Sequence, residues 1–179
     1  MELGKLIIEK LSQYNFLTNI LPGTVLCIVL KYLVEYDLVL SDTYLAGILF
    51  YFVGMINSRV SSIIVEPFLK WIKWLVFAPY PDFVKAEQKD GKLTLLSQEN
   101  NTYRSYVSVM FISLVAYLYK NYLTEFTFIK DNEIVILLIV IGFLFMFAYR
   151  KQTGYVRKRV ETLVSNQETN ITEQENRTR

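Results

Sequence analysis

Histidine is absent from this 179-residue chain, and cysteine occurs once, at Cys27. Without histidine, no catalytic scheme that uses imidazole as its base can operate. One cysteine excludes a disulfide within the chain and the usual zinc ligand sets. No nucleophile motif, glycine-rich phosphate loop or metal-ligand spacing is present, so no metal, cofactor or enzymatic activity is expected. The carboxylates that approach one another in sequence, Asp82 with Glu87 or Asp90, belong to a polar stretch and are accounted for by solvation. Net charge is only +2, so the overall balance implies nothing about nucleic acid, and what matters is where the charges lie. A secretory signal peptide is not expected either: the first apolar run contains Pro22-Gly23 and no small-residue cleavage site follows it.

What the chain has instead is apolar length: 53% of its residues are hydrophobic and 15% aromatic. Residues 134–149 (IVILLIVIGFLFMFAY) carry no charge and no amide, and no hydroxyl before Tyr149. A helix apolar all round has no place in water. A bilayer span takes roughly 20 residues, with a lower limit of about 17, and the flanking Lys130 and Arg150-Lys151 can extend this one by snorkelling. Residues 16–36, 44–65 and 106–123 supply three further spans. The fold expected is an all-α integral membrane protein with four transmembrane helices.

Charge then orients the bundle. Lysines 70, 73, 85, 89 and 92 lie between the second and third spans, with Arg59 and Arg104 at the edges. Arg150, Lys151, Arg157, Lys158 and Arg159 follow the fourth, and Lys5 and Lys10 precede the first. An even number of spans puts all of these on one side, the cytoplasmic side by the positive-inside rule. Both termini are therefore expected in the cytoplasm. Around the spans we expect an amphipathic helix over 1–15, a transmembrane domain over 16–164 and a disordered polar tail over 165–179. Within that domain, 66–104 forms a short helical cytoplasmic collar. In this collar 68–77 reads as a helix lying in the interface, and Asp82 as the cap of a polar helix running through Lys89.

The second span holds the first group of candidate site residues. Gly47, Gly54, Ser58 and Ser62 are small residues at helical spacing, which let a neighbouring backbone approach closely. They make either an oligomer seam or a packing seam inside one bundle. Asn57, Arg59 and Glu66 mark its inner mouth, with Glu66 on the same face as Arg59 and able to pair with it; a gate or selectivity ring is one reading, a positive-inside anchor the other. Lys31 and Glu35 read as a pair near the outer end. Lys85, Lys89, Arg157, Lys158 and Arg159 form a basic rim open to anionic lipid or to a protein partner.

The order of Asn19 to Gly23, Gly54 with Ser58-Arg59, Glu66-Pro67, Asp82-Phe83-Val84 and Asn100 to Arg104 resembles small four-pass bacterial membrane proteins of anti-phage defence systems, among them the membrane subunit of the Kiwa system. That resemblance implies a homo-oligomeric sensor or effector in the inner membrane, coupled to a cytosolic protein partner and without catalysis of its own. A small ion channel or transporter acting alone is the other class, and a membrane-bound enzyme a third. Direct nucleic-acid binding is not expected.

Overall fold

The apolar stretches fold as helices, and the computed structural model, which describes residues 14–36, 38, 40–123 and 127–177, has no strand among them. The helices are α1 (Phe16–Val34), α2 (Thr43–Trp71), α3 (Tyr80–Lys89), α4 (Lys92–Leu118), α5 (Thr127–Asp131) and α6 (Glu133–Arg177). Three of them, α1, α2 and α6, are long and apolar enough to cross a membrane. The fourth expected span lies in α4 and the π-helical turn Tyr119–Leu123 that continues it. Its tyrosines and Lys120-Asn121 dilute its apolar character, and it is not among those three. The expected helix over 1–15 falls outside the described residues except for Tyr14 and Asn15, which are helical.

Local chemistry sets most boundaries. The Asp42 side chain caps α2, accepting hydrogen bonds from the amides of Tyr44 (2.8 Å) and Leu45 (3.0 Å). Two π-helical turns, Phe16–Ile20 in α1 and Ser61–Val65 in α2, each stand just before a proline. Leu21 and Glu66 donate to carbonyls five residues back, Phe16 and Ser61. The wider turn gives room to Pro22 and Pro67, which have no N–H to donate and crowd the preceding turn of an α-helix. Glu66-Pro67 therefore does not end α2. The helix stops at Trp71, where Lys73 turns left-handed (φ 60°) and the Trp74 amide returns to the Leu69 carbonyl at 3.0 Å. The interfacial helix expected over 68–77 is thus replaced by the end of α2 and an irregular segment. Trp71 and Trp74 are 77% and 78% exposed. Asp82 does not cap α3, which starts two residues earlier; it stands in the first turn, where a carboxylate suits the helix dipole.

Packing centres on α1, α2 and α4. Gly23 and Gly54 bring α1 and α2 together: a Cβ on Gly54 would lie 1.9 Å from the Asn19 carbonyl oxygen, and one on Gly23 would lie 2.0 Å from that of Phe50. Asn57, fully buried, ties α2 to α4; its side-chain amide donates to the Ser105 carbonyl (3.0 Å) and its backbone carbonyl accepts from the Ser108 hydroxyl (3.1 Å). The four long helices alternate in direction. At one end Glu35 pairs with Lys120 at 2.9 Å, rather than simply with Lys31 as its spacing suggests. Tyr119 bonds Glu133 there as well, at 3.3 Å.

The last helix, α6, lies against α2 through Phe52 and Phe145, whose rings are 6.4 Å apart, and only Leu144, Ala148 and Thr162 are buried on it among the described residues. So large an apolar exterior belongs against lipid or another chain rather than water. The helix does not fray after the apolar run. It runs on to Arg177, over the polar stretch from 165, and no proline or glycine follows Gly154. Its polar half holds α3 by an Arg159–Glu87 ion pair (3.0 Å) and Tyr80–Tyr155 ring contact (6.4 Å).

Candidate functional site

Residues from four helices meet at the end of the bundle where the apolar segments give way to charge. Asn19 comes from the π turn of α1, Ser58, Arg59 and Ser62 from α2, Asn101 and Arg104 from α4, and Lys151, Gln152 and Tyr155 from α6. Together with Tyr14 they enclose a cavity of about 420 Å³. A second hollow of about 470 Å³ lies on the other side of Ser62, Lys151 and Tyr155, and reaches Arg150 and Lys158.

The wall between helices is built on Glu66. Its side chain is nearly sealed, at 5% exposure, and is reached by three cations: Lys70 at 2.7 Å, Lys151 at 3.8 Å and Arg104 in direct contact. A buried carboxylate is tolerable only when paired and hydrogen-bonded, and here each oxygen is engaged. The arrangement locks α4 and α6 onto α2. Lys151 also donates to the Ser62 carbonyl, which the π turn and Pro67 leave open to an outside donor.

Charge is not balanced around the cavity. Arg59, Lys70 and Arg104 all lie within electrostatic reach of Lys151, and Glu66 is the carboxylate that answers them. No ion pair to Arg59 occurs among the described residues, and the buried Nε of Arg104 has no hydrogen-bond partner there. Apart from Ala148, the rest of the lining carries amide or hydroxyl groups. No group of histidine, cysteine or carboxylate side chains suited to a metal exists among the described residues.

The expected pairing of Arg59 with Glu66 is not formed. Seven residues apart on a plain α-helix they share a face, but the π turn between them accommodates an extra residue, worth about 100° of rotation. Glu66 therefore faces α4 and α6, while Arg59 faces the cavity. Asn57, expected at the mouth, is instead a buried link between helices. Of the small-residue stripe, Gly54 is filled by α1 of the same chain, Ser58 and Ser62 line the cavity, and Gly47 is exposed with open space around it. On the expected rim Lys85, Lys89 and Lys158 are exposed, Arg157 pairs with Glu161 at 2.7 Å, and Arg159 is engaged by Glu87. Arg104 and Lys151 were legible only as charges flanking spans; nothing local in the sequence shows that they converge. No protein-family model, curated protein or solved structure matches this chain.

Proposed function

We propose that this protein is a four-span inner-membrane sensor or effector component that links the bilayer to a cytosolic protein. The observation that carries the reading is α6. At 45 residues it is about 67 Å long, more than twice the roughly 30 Å of a hydrocarbon core. One unbroken rod thus runs from the apolar surface, past the cavity, to the polar helix α3 clamped on its flank. A shift of α6 at the cavity moves Tyr155 and Arg159, and with them α3.

The packing of α4 against α1 and α2, with Glu35–Lys120 at its far end, supports its membership as the fourth span. Four spans put α3 and both termini in the cytoplasm and the cavity at the cytoplasmic surface of the membrane. Lys85 and Lys89 then form the exposed docking edge for the partner, and the sequence resemblance extends the role to anti-phage defence. We place homo-oligomeric association on the exposed apolar surfaces and not at Gly54.

Deletion of the gene, with phage plaques counted on complemented cells, tests this. Wild-type protein should restore resistance, and a Lys85→Glu/Lys89→Glu variant that inserts normally should lose most of it, with partner recovery falling most at low salt. Plaque counts unchanged by the deletion would reject the defence role. Full partner recovery by the double variant at every salt concentration would reject docking at this edge.

A further inference from the structure

The cavity at the basic end has the makings of a ligand site, and its chemistry specifies the class. We infer that it binds an organic phosphate monoester: a doubly charged phosphate group carried on a larger polar body. Three cationic side chains, Arg59, Arg104 and Lys151, face a space whose remaining surface is mostly neutral donors and acceptors, among them Asn19, Asn101 and Gln152. Glu66 is already shared among three cations and cannot neutralise Arg59 as well. An oxyanion supplies the missing charge. Phosphate oxygens accept from guanidinium forks in the charge-assisted geometry that suits arginine best.

Size excludes a bare ion as the natural occupant. A space of about 420 Å³ is within the range of small-molecule sites, roughly 300–1,000 Å³, and far exceeds one phosphate. Tyr14 and Tyr155 give the rest of the ligand a partly apolar wall. The depth is also informative. Lys151 follows the apolar run by two residues, and Arg59 stands where α2 turns polar, so the cavity lies at headgroup level, open in principle to a lipid phosphate or to a soluble one. Because its walls come from α1, α2, α4 and α6, an occupant bridges all four helices. The ligand would thereby set the position of α6, which deepens the coupling proposed above; binding itself is measured without any partner and stands or falls separately.

The test uses full-length protein in phosphatidylcholine discs, with the maleimide labelling rate of Cys27 as readout. Cys27 is fully buried in α1, so labelling reports opening of the bundle. One arm replaces part of the lipid with phosphatidic acid; the other adds glycerol 3-phosphate to neutral discs. A ligand at about a hundred times its Kd should slow labelling about a hundredfold. Protection in the first arm alone assigns a lipid phosphate, and protection in the second assigns a soluble one. Arg59→Gln leaves the Glu66 ion pairs intact and should weaken binding at least about tenfold, about 1.4 kcal/mol. Gln152→Leu, at an exposed helical position, is the second probe should Arg59→Gln label rapidly without ligand. Lys85→Gln, outside the cavity, should bind as wild type. Absence of protection in both arms, protection undiminished in Arg59→Gln and Gln152→Leu, or equal loss in Lys85→Gln would overturn the assignment.

Discussion

Replacing Gly54 by alanine should cost the bundle about 3 kcal/mol, the upper part of the usual range for overpacking a well-filled core. The added methyl carbon would lie 1.9 Å from the Asn19 oxygen, 2.5 Å from its carbonyl carbon and 2.9 Å from its Cα. Carbon needs about 3.5 Å from such neighbours, so the helices must separate locally by about 1.5 Å. The obstacle is helix backbone, which cannot swing aside as a side chain can. Gly23→Ala should be similarly costly, since its methyl meets the Phe50 oxygen at 2.0 Å and the Gly54 nitrogen at 2.7 Å. Both substitutions wedge the same two helices apart. The second finds the gap partly open, so the double variant should cost about 1–2 kcal/mol less than the two single costs combined. Gly47→Ala is the internal control: a Cβ there would meet nothing within 4 Å, and relief of glycine entropy should make the change neutral or stabilising by up to about 1 kcal/mol. Maleimide labelling of Cys27, one turn from Gly23, gives the readout. At about 1.4 kcal/mol per decade, Gly54→Ala should label about a hundredfold faster. A rate within twofold of wild type, or single-variant costs that add without coupling, would refute the close-contact argument.

Two further outcomes are expected. Glu66→Gln should strand Lys70, Arg104 and Lys151 without a counter-charge and destabilise by about 2–3 kcal/mol, below the cost of breaking a fully buried pair because the cations are partly exposed; adding Lys151→Met should recover part of the loss in the same labelling assay, and no recovery would mean that Lys151 is held by other contacts. Reporter fusions after Ser41 and Lys130 should read as external and those after Lys89 and Gly154 as cytoplasmic, whereas a cytoplasmic signal at Lys130 with an external one at Gly154 would remove α4 from the membrane and with it the four-span reading.

The apolar runs needed no structure to be seen, because each depends on residues close together in sequence. Hydropathy and chain length dictate that 134–149 is a helix whatever surrounds it, whereas the cap at Asp42, which accepts from amides two and three residues ahead, emerged only from the fold. The candidate site was legible only in pieces. Arg59, Ser58, Ser62 and Glu66 stood out as polar residues in an apolar helix, but the cations that reach Glu66 and Ser62 from α4 and α6 lie about 40 to 90 residues further along. Tertiary packing alone could choose Arg104 and Lys151 over Arg59 for Glu66. It did so through a π turn, which rotates the helix beyond Ser61 and so cannot be foreseen from a fixed period of 3.6 residues. The role of Gly54 was decided in the same way: sequence spacing marks a surface that admits a close neighbour, and only the fold shows that the neighbour is α1 of the same chain.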